Sequence, residues 1–554
     1  MTCSMKSILK AVHIFILMIY FSPTLLAQTP SWLWANSAGG GIVYDIATDS
    51  YGNVYATGYY TDSIMSFGTL SIASEGEDEG FIAKYDPSGN LLWAKSFGGK
   101  NQDRGTSITT DYLGNVILSG FFHSDTLIIG GNSFFYSLGA SDIFVAKFNT
   151  SGNLLWARAY GSQSVDVNNS VVTDRQGNVF IAGSFAGTSI SFGTTSLINS
   201  GVVGYDDLFI AKLNSSGNEL WAISQGNSIG GEVANQLAVD SIGNLFVAGA
   251  FNGNSTSLGS YNFNNSHSGL NDLFIEKLSP AGNQIWAKSS GSIDEDYCQG
   301  ICVDSSGNII IAGGFRNANL SLDTISLLNS GGNDVFIAKY DQSGNIIWAK
   351  TIGATGNEFC ENVAFDRVGN AYLTGTFNDP TLTIGSNTFP GTFHFYIAHF
   401  DLAGNVVWAT TTGTNGPIGP RGITVDDAGS VILAGSLPSN TTFFGTIPLV
   451  HWGITNIFVS KFNLQTGIND IRNTSPILLY PNPSKNQLTV LCNSEAKQVI
   501  QVFDISGKIR FSQQLWKGGS NSLNIDVSEW KQGLYFVNIE KSDGNNTSTF
   551  FIKE

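Results

Sequence analysis

The stretch FIAKYDPSGNLLWAK at residues 81–95 decides the fold, because it recurs along the chain. Close copies are FVAKFNTSGNLLWAR at residues 144–158 and FIAKYDQSGNIIWAK at residues 336–350. Each copy holds two apolar runs around a Gly-Asn turn, which is the pattern of a β-hairpin whose glycine takes a positive φ. The Trp-Ala ending of this hairpin occurs seven times, at Trp34, Trp93, Trp156, Trp221, Trp286, Trp348 and Trp408.

A second motif, D-x-x-G-N followed by an alternating strand, marks the same period of 60 to 66 residues. Its copies begin at Asp49, Asp111, Asp174, Asp240, Asp304 and Asp366, with the variant DDAGS at Asp426. Self-similarity at a fixed period indicates a repeat architecture. We interpret the repeated aspartate as a turn residue that accepts backbone N–H bonds, and the repeated tryptophan as packing between repeats.

The two ends of the repeat region complete each other. The seventh copy, FVSKFNLQTG from Phe458, lacks its Trp-Ala strand, whereas an additional one stands near the N-terminus as SWLWANS at residues 31–37. A ring needs this arrangement, because one strand from the N-terminus then completes the last sheet and removes two exposed edges. The sequence therefore predicts an all-β fold with a seven-bladed β-propeller at residues 28–467, closed by an N-terminal strand.

The combined unit, D-x-x-GN-x-Y-x-x-G-x-F plus D-x-F-[IV]-A-K-[YF]-x-x-S-GN-x-x-W-A, resembles the seven-bladed β-propeller (SBBP-type) repeat of bacterial secreted proteins. The resemblance covers residues 32–467. It implies the propeller fold and secretion, but no single activity, because one fold hosts many functions.

The N-terminal segment has the pattern of a secretory signal peptide. Lys6 and Lys10 precede an apolar run, and a small residue stands at Ala27, so residues 1–27 are predicted to be removed. A membrane anchor is the alternative, but the uncharged stretch at residues 11–27 is short for a span and contains Pro23. Cleavage would leave a mature chain that carries no membrane span.

The charge balance excludes two classes of partner. The chain has a formal net charge of −16, and losing the two lysines of the leader brings it to −18. Such a chain is repelled by nucleic acid and by anionic lipid surfaces, so we expect neither as a partner.

The C-terminal region is a separate small domain. Residues 468–476 form the predicted linker, and residues 477–554 alternate apolar positions with glycine turns, which predicts a small antiparallel β-sandwich. This segment resembles the type A C-terminal sorting domain of the type IX secretion system of Bacteroidota. The positions that carry the resemblance are Tyr480, Pro481, Asn482, Pro483, Asp504, Gly507, Lys508, Gly533 and Tyr535.

This resemblance implies a partner and a destination. The type IX secretion machinery would carry the protein from the periplasm across the outer membrane, for release or for attachment to the cell surface. A β-sandwich that serves as a binding module is the alternative interpretation of the same segment.

One set of acidic residues stands out from the repeat. Eight residues before the turn aspartate, five repeats carry a carboxylate and the other two carry Gly41 and Ile418. The five are Asp103, Asp166, Glu232, Asp296 and Glu358. A propeller would place them in a partial ring on one face near the channel, an arrangement suited to calcium or to the hydroxyl groups of a ligand. We favour the other interpretation, in which each carboxylate accepts backbone N–H bonds in its own or a neighbouring blade.

The cysteines and the search for catalytic motifs provide little evidence about function. Cys298 and Cys360 occupy one position of adjacent repeats, and a disulfide between them would need Cα atoms within about 7 Å. The sequence has no HExxH motif and no cysteine pair at zinc spacing, and we identify no catalytic residue. We therefore expect a non-enzymatic binding or scaffold protein whose ligand is a polysaccharide, a protein or a metal. The alternative is a carbohydrate-active hydrolase or lyase at the channel mouth.

Overall fold

The structure, a computed structural model, describes residues 30–464 and 478–554 apart from short gaps. The gaps are residues 132, 202–203, 228–229, 268, 392–393, 413–418, 439–442, 451–454, 481–483, 492–497, 505–506, 516–521 and 542–545. The predicted signal peptide, the predicted linker and Ile418 therefore lie outside the described residues. The chain divides into two compact units after Leu464.

Within the described residues every regular element is a β-strand, so the predicted all-β class is confirmed. The strands of the first unit are β1 (Pro30–Gly39), β2 (Gly41–Thr48), β3 (Val54–Tyr60), β4 (Ile64–Phe67), β5 (Leu70–Ala73), β6 (Glu79–Tyr85), β7 (Leu91–Phe97), β8 (Asp103–Thr110), β9 (Val116–Phe122), β10 (Thr126–Ile129), β11 (Ser133–Tyr136), β12 (Asp142–Phe148), β13 (Leu154–Tyr160), β14 (Asp166–Thr173), β15 (Val179–Phe185), β16 (Ser189–Phe192), β17 (Thr195–Ile198), β18 (Asp207–Leu213), β19 (Glu219–Gln225), β20 (Glu232–Val239), β21 (Leu245–Phe251), β22 (Ser255–Leu258), β23 (Tyr261–Asn264), β24 (Asp272–Leu278) and β25 (Gln284–Ser290).

They continue with β26 (Asp296–Val303), β27 (Ile309–Arg316), β28 (Leu320–Leu322), β29 (Ile325–Leu327), β30 (Asn333–Tyr340), β31 (Ile346–Ile352), β32 (Glu358–Phe365), β33 (Ala371–Phe377), β34 (Thr381–Ile384), β35 (Asn387–Pro390), β36 (His394–Phe400), β37 (Val406–Thr412), β38 (Pro420–Val425), β39 (Val431–Pro438), β40 (Phe443–Phe444), β41 (Ile447–Pro448) and β42 (Thr455–Leu464). The second unit has β43 (Leu478–Tyr480), β44 (Gln487–Leu491), β45 (Gln498–Asp504), β46 (Ile509–Leu515), β47 (Ser522–Asp526), β48 (Gly533–Lys541) and β49 (Asn546–Lys553).

The described part of the first unit contains seven four-stranded antiparallel sheets, numbered here 1 to 7 in chain order. Sheet 1 has the strand order β2-β3-β6-β7, and sheets 2 to 6 repeat that order with their own strands. A small two-stranded hairpin, such as β4-β5, stands between the second and third strands of each sheet. Sheet 7 has the order β1-β42-β39-β38, so the N-terminal strand is its fourth strand, as the count of Trp-Ala motifs predicts.

The sheets follow one another in a closed cycle. The first strand of each sheet contacts the first strand of the next, and β38 of sheet 7 contacts β2 of sheet 1. A buried apolar cluster fills every junction between neighbouring sheets. The cluster of the closing junction joins Val43 and Phe81 of sheet 1 to Ile432 and Val459 of sheet 7. This arrangement is a β-propeller.

The repeated aspartate organises its turn through its carboxylate. In sheet 2, Asp111 Oδ1 accepts the Leu113 and Asn115 N–H groups at 3.0 and 2.9 Å. Its Oδ2 lies 2.8 Å from the Lys147 Nζ of the third strand. Gly114 takes φ +77°, which a residue with a side chain rarely adopts. The motif is therefore a turn with a buried ion pair.

The repeated tryptophan connects neighbouring sheets. The Trp156 indole N–H donates to the Ser215 carbonyl of sheet 3 at 3.1 Å, and Lys147 Nζ donates to the same oxygen at 3.2 Å. At the closing junction, the Trp34 indole donates to the Pro87 carbonyl at 3.0 Å. One indole contact thus recurs across the ring, including the place where β1 closes it.

The second unit has two sheets, with strand orders β43-β44-β47 and β46-β45-β48-β49. Side chains from both sheets form one buried cluster that includes Leu488, Val490, Ile525, Val537 and Phe551. A single apolar core therefore holds this unit together.

Candidate functional site

The five predicted acidic residues occupy one structural position. Each is the first residue of the first strand of its sheet, and each side chain is fully buried. Four of them accept a backbone N–H from the segment just before the strand. These bonds join Gly99 to Asp103 at 2.7 Å, Ser162 to Asp166 at 2.5 Å, Ala354 to Glu358 at 2.8 Å, and Ser292 to Asp296.

A second carboxylate faces each of these five. It is the residue two positions before the conserved aromatic of the third strand in the preceding sheet. The facing residues are Glu79, Asp142, Asp207, Asp272 and Asp334, all of them buried. Sequence analysis missed this second column because the two positions lie 24 or 25 residues apart in the chain.

Burial and the neighbouring carboxylate both raise the pKa of these acids. Burial raises the pKa of Asp166 to about 7, and the Asp142 carboxylate adds to the shift. Burial likewise raises the pKa of Glu232 to about 8, with Asp207 adding to it, and the pKa of Asp296 to about 7, with Asp272 adding to it. Like charges in a buried place favour the neutral form of a carboxyl group.

These acids do not line one common site. Each acid interacts electrostatically with the acid of the preceding sheet, and the five resulting pairs lie at five separate junctions. Among the described residues no group of three His, Cys, Asp or Glu side chains is placed to hold a metal ion.

The first strands surround a different feature, a central cavity of about 310 Å³. A β-bulge interrupts each first strand, and the bulged residue points into the cavity. The seven bulged residues are Tyr44, Thr106, Asn169, Asn235, Gln299, Glu361 and Arg421. They stand five residues before the turn aspartate, and the recurrence of a hydrogen-bonding side chain at this position was the available sequence signal.

The cavity lining is chemically varied. The Arg421 guanidinium carbon lies 5.1 Å from the centre of the Tyr44 ring. Burial raises the pKa of the Glu361 carboxyl group, and the Arg421 charge opposes that rise. The Asn169 and Asn235 amides donate to the Ala234 and Cys298 carbonyls of the next sheet at 3.0 and 2.9 Å. Both charges and amide groups are thus available at one place.

A second carboxylate of the lining, Asp45, is held by the fold. Its Oδ2 accepts the Ser107 hydroxyl and the Ile108 N–H of sheet 2, each at 2.9 Å. Its Oδ1 accepts the Ile46 N–H at 2.8 Å. These contacts fill the gap that the bulge leaves in the ladder, so Asp45 is a structural residue.

The cysteines of the described residues, Cys298, Cys302 and Cys360, are free thiols. Cys298 and Cys360 are both buried, and neither forms a disulfide. Cys298 lies near the Gly300 and Ala312 carbonyls instead, at 3.6 and 3.7 Å. Burial raises the pKa of the Cys298 thiol to about 12, so it stays protonated.

The predicted sorting residues are partly described. Asp504 accepts the Lys508 N–H at 3.1 Å and binds the Arg510 guanidinium at 2.6 Å, and Gly507 has φ +78°. Tyr535 donates its hydroxyl to the Lys531 carbonyl at 2.8 Å, and Gly533 begins β48. Residues 481–483 lie outside the described residues, and of Tyr480 only the backbone is described, as the end of β43.

Comparison with known families identifies the C-terminal segment. Residues 478–553 match the secretion system C-terminal sorting domain. The chain is therefore a protein exported by the type IX secretion system, to the cell surface or to the medium. Among the described residues no helix is long and apolar enough to cross a membrane.

The curated relatives are distant and longer than this chain. An uncharacterized WD repeat-containing protein of Acanthamoeba polyphaga mimivirus is 24% identical over 75% of this chain and 36% of its own length. The regulatory protein FlaEY of Caulobacter vibrioides is 25% identical over 35% of this chain and 20% of its own length. The chain thus spans about a third or less of these relatives.

Solved structures with a related arrangement are also distant in sequence. The Pan2 WD40 domain of Neurospora crassa is 10% identical, with a TM-score of 0.40 over 78% of this chain and 96% of that chain. Sqt1 of Chaetomium thermophilum is 12% identical, with a TM-score of 0.39 over 74% of this chain and 97% of that chain.

Proposed function

We propose that residues 28–467 form a seven-bladed propeller of the SBBP type, in which each four-stranded sheet is one blade. On this proposal residues 1–27 are a cleaved signal peptide, residues 468–476 a linker, and residues 477–554 a β-sandwich sorting domain. The source would be a member of the Bacteroidota. Support comes from the closed cycle of seven sheets and from the matched sorting domain.

We further propose that this exported propeller is a binding protein without enzymatic activity, and that its central cavity holds one sugar unit of a polysaccharide. The supporting observation is the bulged position of the seven first strands. Its seven residues are of six types, every one of them has a hydrogen-bonding side chain, and all face one cavity. A scaffold that only packs gives no reason to turn seven hydrogen-bonding side chains toward one cavity.

The lining suits a sugar. Tyr44 and Phe121 supply aromatic surface, while Gln299 and the two asparagines supply amide donors and acceptors. Glu361 can accept a hydroxyl hydrogen bond as a carboxylate. The cavity volume of about 310 Å³ is at the lower end for ligand pockets, which fits a single unit or a chain end.

Hydrolysis or lyase chemistry is less well supported. Glycoside hydrolysis ordinarily needs two free carboxyl groups. Within the described lining Asp45 and Glu361 are the carboxylates, and the oxygens of Asp45 already accept three hydrogen bonds from the fold. Glu361 alone does not make an acid–base pair.

The test is a binding experiment on the mature full-length chain. Cellohexaose, xylohexaose, laminarihexaose and an oligogalacturonate are titrated by calorimetry, and product release is followed in the same samples. We expect affinity for at least one of these oligosaccharides, no cleavage, and at least tenfold weaker binding in Gln299→Ala and Glu361→Gln.

The matched control is Gln176→Ala, because Gln176 is exposed in the turn between β14 and β15. It should bind like the wild type. If none of the four probes binds, or if the cavity variants bind as tightly as Gln176→Ala, the cavity is not a site for these sugars. Cleavage that disappears in Glu361→Gln would make the protein an enzyme instead.

A further inference from the structure

Five of the seven sheet junctions contain a pair of buried acids, one from each sheet. In each pair below, the acid named first lies at or near the start of the third strand of one sheet. The acid named second begins the first strand of the next sheet. The pairs are Glu79–Asp103, Asp142–Asp166, Asp207–Glu232, Asp272–Asp296 and Asp334–Glu358.

The two columns of acids change together. At the junction of sheets 6 and 7 the corresponding residues are His394 and Ile418, and at the junction of sheets 7 and 1 they are Asn456 and Gly41. No junction keeps one acid and loses the other. An acid that only anchors backbone N–H groups would need no second acid opposite it, so the pair is the functional unit.

In two of the five pairs, both members approach the same backbone point. At the junction of sheets 3 and 4 this point is Gly226. A methyl group there would collide with Asp207 Oδ1 and would lie 2.8 Å from Glu232 Oε2. At the junction of sheets 1 and 2, a methyl group on Gly98 would likewise lie 3.1 Å from both Glu79 Oε1 and Asp103 Oδ2. Glycine thus lets two carboxylates share one place.

In the pairs Asp272–Asp296 and Asp334–Glu358, each carboxylate accepts a backbone N–H bond with one oxygen, and its other oxygen has no hydrogen-bond partner. Asp272 Oδ2 accepts the Ser266 N–H at 2.7 Å, and Asp296 Oδ2 accepts the Ser292 N–H. The remaining oxygens, Asp272 Oδ1 and Asp296 Oδ1, are buried and have no hydrogen-bond partner. A buried polar atom without a partner costs about 1–3 kcal/mol, and more when it is charged, so it indicates a missing ligand.

The junction of sheets 5 and 6 repeats this arrangement. Asp334 Oδ2 and Glu358 Oε2 accept the Ser330 and Ala354 N–H groups at 2.7 and 2.8 Å. Asp334 Oδ1 and Glu358 Oε1 are buried without a partner. The charged groups that act on the pKa of Glu358 are the carboxylates of Asp379 and Asp334, and both raise it.

We propose that these acid pairs bind calcium ions between neighbouring sheets, with Asp272–Asp296 and Asp334–Glu358 as the best-formed sites. The unused oxygens are the hard ligands that calcium takes, and backbone carbonyls and water complete its six to eight ligands. Each ion neutralises two like charges and links two sheets of the ring. The sites are separate from the central cavity and do not depend on what the cavity binds.

Calcium itself is the probe, with the mature full-length chain. The protein is stripped with a chelator, exchanged into 1 mM calcium, freed of unbound ion by gel filtration, and assayed for bound calcium by elemental analysis. We expect several ions per chain, and a rise of several degrees in the unfolding temperature with calcium relative to chelator. Asp296→Asn and Glu358→Gln should each retain one ion fewer than the wild type.

The matched control is Asp125→Asn, which removes one negative charge at an exposed position outside the junctions. It should retain the wild-type number of ions. The amount of calcium that the wild type retains can be measured whether or not any variant folds. A wild type that retains no calcium, or junction variants that retain the wild-type number, would overturn the proposal. In that case a chelated protein that becomes more stable as the pH falls would show that each pair shares a proton instead.

Discussion

Glu276 shows how one residue departs from the repeat and changes the electrostatics of its sheet. The corresponding position holds alanine in five of the other sheets. Glu276 is fully buried, and its Oε2 accepts the Gln225 and Gln284 side-chain amides at 3.2 and 3.0 Å. Burial raises the pKa of this carboxyl group to about 7, although the two hydrogen bonds lower it.

We predict that Glu276→Gln stabilises the protein at pH 8 and has little effect at pH 4.5. In the unfolded chain this group ionises near pH 4.5, but in the folded chain it keeps its proton until about pH 7. The folded state therefore binds more protons in between, so wild-type stability falls as the pH rises through this interval. The glutamine has no charge to bury, which gives the variant an advantage of up to about 3 kcal/mol at pH 8.

Urea unfolding at both pH values, with calcium held constant, measures this difference. Glu77→Gln is the control, because Glu77 is exposed. An equal difference between Glu276→Gln and wild type at the two pH values would mean that the ionisation of Glu276 has no part in the stability.

At the scale of elements, the fourth strand of sheets 1 to 5 and of sheet 7 connects to the next sheet through its tryptophan. Its tryptophan packs on the Gly-Asn turn of the neighbour, as Trp93 does on Gly152 and Trp34 on Gly89. In the first case the indole donates to the Thr150 carbonyl at 3.3 Å. The strand that closes the ring therefore makes the same contact as a strand inside it.

We predict that Trp34→Ala and Trp93→Ala destabilise the protein by similar amounts, about 2–3 kcal/mol each. Both lose a half-buried ring and one hydrogen bond to a neighbouring sheet. Urea unfolding of the mature chain gives the comparison, and Leu33→Ala, which truncates an exposed residue of β1, is the control. A loss well below 1 kcal/mol for Trp34→Ala alone would mean that β1 does not close the ring.

The elements also show where sequence reasoning ends. Hairpins could be predicted from Asp111 and Gly114, because a turn is local and its chemistry is written in adjacent residues. The position of β1 followed from counting motifs. The cavity lining was not predicted, since the bulge that turns Glu361 inward depends on how its strand pairs with another. The facing acid of Asp296 was missed for a similar reason, because it lies on a different sheet.

On the scale of the whole molecule, the candidate binding sites and the sorting domain lie in separate compact units. The propeller holds the cavity and the acid pairs, while the unit that begins at Gln465 contains the matched sorting domain and has its own core. A chain built this way should keep its ligand binding when the second unit is removed. Passage across the outer membrane, in contrast, should depend on that second unit.

We predict that deleting residues 474–554 leaves the propeller in the periplasm of a strain that has a type IX secretion system. The deletion removes the segment that matches the sorting domain and leaves the seven sheets intact. Cell fractionation with immunoblotting measures the distribution among periplasm, surface and medium. Trp93→Ala, which alters the propeller but keeps the tail, is the control and should still leave the periplasm. Truncated protein found outside the cell would mean that the propeller, rather than the C-terminal unit, carries the export signal.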